Sequence, residues 1–307
     1  MPHRAASYQL SRFLLVRDAA ARHVLIMSGP IARLNADLIG RYVIQSEARV
    51  GSMVTEYVGR DLEHDREVCI KVVKPELAEV VGVERFLSAI GPAASLRGTH
   101  ILPLLDSGRV ADTAYYVVPR VDGELLRERL DRGGRLSVDV TLGITRDVAL
   151  ALTHAHERGI VHCDLRPTHI LLGSENALVA DFGIGPAITA ATRTHPTATG
   201  LYVGTPSYLS PEQIGENAPI DMRSDVHALG CMMYEMLTGD RPYPGTTVQV
   251  IVAKALSSWV PCIRAVQPDV PEGIEVAIST ALARRPEERF GSVLELYEAC
   301  VTSRSAG

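Results

Sequence analysis

The sequence predicts an α+β fold in which a small antiparallel sheet precedes a larger, mainly helical part. Strand-like runs crowd toward the front, at residues 42–44, 55–58, 67–73 and 114–118, with turns rich in Gly, Asp and His between the first three. Helical periodicity dominates from Ser137 onward. With 307 residues and 46% hydrophobic content, the chain has ample apolar material for a buried core.

Residues 1–41 are Ala- and Arg-rich, carry Met27-Ser28-Gly29-Pro30 and read as an extension upstream of the domain. In the strand at residues 67–73, Val68, Ile70 and Val72 point one way while Cys69 and Lys71 point the other. A helix follows through Val83-Glu84-Arg85-Phe86-Leu87-Ser88-Ala89-Ile90, and Gly91-Pro92 interrupts it, because an interior proline costs roughly 3 kcal/mol or a kink. Ala114-Tyr115-Tyr116-Val117-Val118 reads as a buried strand running into Pro119-Arg120-Val121-Asp122-Gly123. Ser137 caps a helix whose Ile144, Val148, Ala151, Leu152 and Ala155 share one face, and Gly159 ends it. Ile170-Leu171-Leu172 and Ala177-Leu178-Val179-Ala180 form a hairpin-like pair. A helix starting at Ser224-Asp225 and stopping at Gly239 is apolar nearly all round, which predicts burial. The helical run at Val293-Leu294-Glu295-Leu296-Tyr297-Glu298-Ala299 completes the domain, and residues 303–307 form a polar tail.

Composition excludes several classes. A formal net charge of −5 with interspersed signs leaves no basic stripe for nucleic acid. The five cysteines, Cys69, Cys163, Cys231, Cys262 and Cys300, are scattered and lack a C-x-x-C pair, which argues against a disulfide framework or a zinc site and for a reducing cytoplasm. No run reaches 18 uncharged apolar residues, and the short stretch near Phe13 is closed by Arg17 and Asp18, unlike a signal peptide, so neither a membrane span nor a secretory leader is expected.

The chemistry-bearing stretch is His162-Cys163-Asp164-Leu165-Arg166-Pro167-Thr168-His169, followed by Asp181-Phe182-Gly183 and preceded by Val68-Cys69-Ile70-Lys71. In order and spacing it resembles the catalytic loop, metal-binding Asp-Phe-Gly and strand lysine of bacterial eukaryotic-like (Hanks-type) Ser/Thr protein kinases. The resemblance covers residues 42–302 and implies a bilobal protein-kinase-like fold: an N-lobe at 42–118, a hinge at 119–123 and a C-lobe at 124–302. In look-alike kinases a segment like Ile31-Ala32-Arg33-Leu34-Asn35 lies near the start codon, so Met27 is expected to be the physiological start.

The resemblance assigns roles residue by residue. Asp164 would orient the substrate hydroxyl, Lys71 and Arg166 would hold phosphates, and Asp181 would bind a single Mg²⁺. Thr205, in Gly204-Thr205-Pro206-Ser207-Tyr208, would stand beside the catalytic Asp. Glu212, in Ser210-Pro211-Glu212, would pair with Arg289 far downstream. Around the nucleotide the implied positions are Val50, Gly51, Glu56, Cys69 and Lys71, with the backbone of Pro119 and Val121 facing adenine and Val118 guarding the back pocket. The Thr-rich segment from Thr189 to Thr199 is either a phosphorylated activation segment or simply a polar mobile loop.

Departures from the family pattern cluster where ATP and metal would sit. Only Gly51 survives of the glycine-rich loop. Glu56 takes the position of a Val that packs on adenine; facing a phosphate at around 6 Å it adds repulsion of about 2–3 kcal/mol per unit charge at an effective dielectric near 20. The helix carboxylate that pairs with the strand lysine falls on Ala89, leaving Lys71 without its usual partner. Cys163 replaces an Arg that senses a phosphorylated segment, and His169 replaces an amide ligand to a hard ion. A histidine hydrogen-bonded inside the lobe is the favoured reading of His169 over a metal ligand. The expected function is therefore a pseudokinase, a kinase-shaped module that binds ATP and Mg²⁺ weakly and scaffolds or modulates a protein partner such as an active kinase. The alternative is a low-activity Ser/Thr kinase acting on protein hydroxyls.

Overall fold

The computed structural model describes residues 30–194, 206–215, 219–257 and 260–305. In chain order the elements are α1 (Pro30–Asp37), β1 (Tyr42–Val50), β2 (Val54–Asp61), β3 (Arg66–Val73), α2 (Pro75–Val81), α3 (Val83–Ile90), a 3₁₀ turn (Gly91–Ser95), β4 (Asp106–Val110) and β5 (Thr113–Pro119). Then come β6 (Glu124–Leu125), α4 (Leu126–Gly133), α5 (Val138–His156), β7 (Ile170–Leu172), β8 (Ala177–Val179) and α6 (Ile184–Thr194). The last elements are α7 (Pro211–Ile214), α8 (Met222–Thr238), α9 (Val248–Ala255), α10 (Glu272–Ala281) and α11 (Val293–Ser305). The chain divides into two compact units: one runs to Ala78 and takes in Asp106–Arg120, and the other comprises Glu79–Leu105 and the chain from Val121 onward.

The first unit is an antiparallel sheet in the order β1-β2-β3-β5-β4. Alternation in β3 buries Val68 and Ile70 completely against the sheet's apolar face. Helix α1, in the part of the chain read as an upstream extension, is grouped with this unit. The buried Asn35 amide accepts from the Ile44 backbone N–H at 2.7 Å and donates to the Ile44 carbonyl at 3.1 Å, fastening α1 to β1. Residues 1–29, with Met27, lie outside the described residues.

The second unit is mainly helical, with the small sheet β6-β7-β8. Its core gathers Leu152, Val148, Leu229, Met232, Met236, Ile278 and Leu296 around α8. Every residue of α8 from Ser224 to Thr238 is buried, as its all-round apolar pattern predicted. Its start, however, is set by Asp221, whose carboxylate accepts from the Arg223 N–H, and not by Ser224-Asp225; Gly239 closes the helix in the left-handed region. Ser137 caps α5 by accepting from the Val140 N–H. Helix α3 stops at Ile90 and gives way to the 3₁₀ turn at Gly91-Pro92, where the sequence places the break. By its contacts α3 belongs with the second unit and not with the sheet. Among the described residues no helix is long and apolar enough to cross a membrane.

Candidate functional site

In the second unit the loop at His162 is held from below by one buried side chain. Asp225 of α8 accepts from the His162 N–H at 2.8 Å and the Cys163 N–H at 2.9 Å, and from His156 Nε2 at 2.7 Å. Cys163 needs that support, because its φ of 61° lies in the left-handed region, a conformation costing a non-glycine residue about 1–3 kcal/mol. Gln213 adds a bond from its Nε2 to the Cys163 carbonyl at 2.6 Å. His162 accepts from the Asp164 N–H at Nδ1, 3.3 Å, and donates from Nε2 to the Ala180 carbonyl at 3.0 Å, so these partners place its proton on Nε2. The bend therefore projects Asp164 while its neighbours are tied down.

Four expected site residues converge there. Arg166 Nη2 lies 3.4 Å from Asp164 Oδ2. His169 donates from Nδ1 to the Asp164 backbone carbonyl at 2.8 Å, and its Nε2 stands 3.7 Å from Asp181 Oδ2. Asp181 also has positive φ, 66°, set by the turn out of β8. Arg166, His169 and Asp181 are buried. Asp164 Oδ2 is sealed from solvent, with no hydrogen-bond partner. Burial pushes the Asp164 carboxyl above its ordinary value; Arg166 and His162 oppose that shift and Asp181 reinforces it.

The chain after Asp181 closes over this loop. Gly183 has φ of 87°, and a Cβ there would meet the Ile90 Cα at 2.8 Å and the Ala89 carbonyl oxygen at 2.9 Å, both at the end of α3. At Gly185 a Cβ would stand 2.2 Å from the His162 carbonyl oxygen and 2.7 Å from the Asp164 nitrogen. Backbone thus lies directly on backbone. From Ile184 to Thr194 the segment is helical, so the Thr-rich run, left open between a phosphorylated segment and a polar loop, begins on a helix. Ile184, Ala187 and Ile188 are buried at helical spacing, and Pro186 falls in the first turn, where its missing N–H costs nothing. Thr205 lies outside the described residues.

Further along, Glu212 and Arg289 form the expected pair, bidentate at 2.7 Å for both bonds. Ser224 donates to Glu212 at 2.7 Å, and Arg289 also donates to the carbonyls of Ala283, Arg223 and Arg284. Burial would raise the Glu212 pKa, but the Arg289 bonds and charge outweigh it and hold the carboxyl below the usual carboxylate range.

In the first unit, Val50 ends β1 opposite Thr55, and Gly51 opens a tight turn in which its N–H donates to the Val54 carbonyl at 2.9 Å. Cys69 is half-buried opposite Val118, and Pro119 closes β5 opposite Val68. Glu56 faces Lys71 directly across β2 and β3, with Oε1 3.3 Å from Nζ. Lys71 is thus paired from the neighbouring strand, while the helix position of its usual partner carries Ala89. Val121, beyond the sheet, is exposed and falls in the second unit.

The donor set bears on the cofactors that the family resemblance implies. Asp181 offers hard oxygen, but His169 offers an imidazole nitrogen where Mg²⁺ demands oxygen, so these two fit Mg²⁺ poorly. Among the described residues no cluster of three or more His, Cys, Asp or Glu side chains is placed to hold a metal. Sequence reasoning missed Asp225 as the anchor of the loop. Its signal was an acidic residue in the first turn of a helix that the sequence predicts to be buried.

Comparison with known proteins gives a consistent result. Residues 47–300 match the family model described as "Protein kinase domain". The chain is 33% identical over 267 residues to the serine/threonine-protein kinase PknL of Mycobacterium tuberculosis, covering 85% of this chain and 65% of that protein. It is 34% identical over 253 residues to the serine/threonine-protein kinase PrkC of Bacillus subtilis, covering 82% of this chain and 38% of that protein. The chain therefore spans less than two thirds of the length of these relatives. Among solved structures it is similar to the PknI kinase domain of M. tuberculosis, with a TM-score of 0.71 and 27% identity over 87% of this chain and 96% of that one.

Proposed function

The chain belongs to the protein kinase domain family, as a Hanks-type Ser/Thr kinase homologue, and on that premise we propose that it is a pseudokinase: phosphotransfer from ATP is weak or absent, and the fold serves as a binding or regulatory module for a protein partner. The observation that carries this reading is the closure of the catalytic loop. Asp164 Oδ2 is sealed from solvent, Arg166 stands against it at 3.4 Å, and Gly185 lies on the loop's own backbone. A general base must reach the hydroxyl proton within about 2.6–3.2 Å, and with Oδ2 enclosed only the other carboxylate oxygen of Asp164 is left to do so.

The two cations assigned to phosphate support the same reading. Arg166 faces Asp164, and Lys71 faces Glu56, so neither presents an unopposed positive charge. A phosphate drawn to Lys71 meets Glu56 as well, and the two interactions oppose each other at comparable distance. His169 in the place of an oxygen ligand weakens Mg²⁺ binding further.

The second reading is a low-activity Ser/Thr kinase transferring the γ-phosphate of ATP to protein hydroxyls. One observation favours it: Asp164 and Asp181, the two carboxylates that the family pattern requires, are both retained and stand on either side of His169. Thermal unfolding with ATP, with and without Mg²⁺, separates the two. Ligand at a hundred times its dissociation constant adds about 2.7 kcal/mol of stability. The pseudokinase reading expects no Mg²⁺-dependent shift at millimolar ATP, and such a shift would favour the kinase.

A further inference from the structure

One row of side chains across the first unit's sheet departs from the pattern of its family and supplies its own compensation. In the strand register Arg49 of β1 lies opposite Glu56 of β2, Glu56 opposite Lys71 of β3, and Lys71 opposite Tyr116 of β5. Residues directly opposite in antiparallel strands project on the same face, so these four form one line running cation, anion, cation, ring. Glu56 stands between two cations. Lys71 Nζ is 3.3 Å from the Glu56 carboxylate and 5.8 Å from the centre of the Tyr116 ring.

Burial gives the carboxylate its weight. Lys71 is only 7% exposed. An ammonium withdrawn from water to that degree needs an opposite charge, and in this chain the helix position assigned to that role carries the methyl group of Ala89. We propose that Glu56 is a positioning partner of Lys71, supplying from the adjacent strand a carboxylate where the family's helix position carries Ala89, so that this ion pair lies within the sheet itself. Tyr116 flanks the ammonium from the other strand and limits where its flexible stem can swing.

The arrangement has a regulatory consequence. In protein kinases the helix that carries the carboxylate controls the lysine by moving. Here the lysine and this carboxylate lie on hydrogen-bonded neighbouring strands of one sheet, so the ion pair between them does not depend on a moving helix. The inference rests on the family assignment of Lys71 and not on whether phosphate is transferred.

The test needs no nucleotide. The chain has three lysines, Lys71, Lys74 and Lys254, so trace acetylation of the full-length protein with mass-spectrometric readout follows Lys71 against two internal references. Glu56→Gln is expected to raise the acetylation rate of Lys71 relative to Lys74 by about tenfold at neutral pH, as the ion pair that holds the amine against the sheet is lost. Glu56→Asp, which retains the charge on a shorter stem, is expected to restore most of the protection. Ala89→Ser on α3 is expected to leave the ratio unchanged. Unchanged Lys71 labelling in Glu56→Gln, no protection in a folded Glu56→Asp, or an effect of Ala89→Ser as large as that of Glu56→Gln would each overturn the proposal. Phosphate incorporation, measured separately, reports on the proposed function alone.

Discussion

Replacing Arg289 by Met removes the cation from the most completely buried ion pair of the second unit and leaves Glu212 behind. The side chains are 0% and 2% exposed, and Arg289 forms two bonds to the carboxylate and three to backbone carbonyls. Breaking a buried pair by deleting one partner costs about 3–5 kcal/mol, because the remaining charge keeps its desolvation cost without compensation. Urea unfolding followed by far-UV circular dichroism is expected to show a loss of that size at pH 7.

The pH dependence supplies the sharper half of this test. In the wild type the folded Glu212 pKa lies below its ordinary value of 4.5, so its contribution is present above that value and is lost as pH falls through it toward the folded pKa. In Arg289→Met burial, the Ser224 bond and a backbone N–H bond remain, and burial, the largest of the three, raises the pKa. The sign then reverses: this group's contribution becomes more favourable as pH falls from 7 toward 5. A loss below about 1 kcal/mol, or a variant whose stability falls with pH as the wild type's does, would refute the reasoning.

Three further outcomes follow. Asp225→Asn keeps the shape but removes the charge that anchors His162, Cys163 and His156; hydrogen bonds to charged groups contribute about 1.5–3 kcal/mol each, so denaturant unfolding should show at least that loss. Limited proteolysis should then cut near residue 163 faster than in the wild type, and an unchanged cleavage pattern would count against Asp225 as the anchor. Gly185→Ala introduces a methyl 2.2 Å from a backbone oxygen that cannot give way, and a thermal shift equivalent to about 1–3 kcal/mol is expected; a neutral result would mean that the segment does not lie on the loop. Asn35→Ala removes both bonds that tie α1 to Ile44 and should cost about 1–3 kcal/mol, against near zero if residues 30–37 are a detached arm.

The parts of the molecule that follow local rules were legible in the sequence. The caps at Ser137 and Gly239, the break at Gly91-Pro92, the alternation in β3 and the all-round apolar pattern of α8 each depend on near neighbours. The Glu212–Arg289 pair was legible only through the resemblance, since 77 positions separate the partners. What was missed depends on register or on long-range contact. Glu56 reads as a misplaced carboxylate until the pairing of β2 with β3 sets it opposite Lys71, and Asp225 reads as a helix start until the loop at His162 comes down upon it. Helix α6 was hidden because its Ala- and Thr-rich sequence is equally compatible with a polar loop, and burial of Ile184, Ala187 and Ile188 decides between them.

On the proposed reading Asp164 is in place but has one carboxylate oxygen enclosed beside Arg166, and the two cations assigned to phosphate are opposed by carboxylates. Incorporation of γ-phosphate from labelled ATP, into the chain itself and into a general protein substrate, tests it most directly when wild type is compared with Asp164→Ala in the presence of Mg²⁺. The account predicts that the two are indistinguishable or nearly so. Sustained incorporation by the wild type that Asp164→Ala abolishes would contradict it.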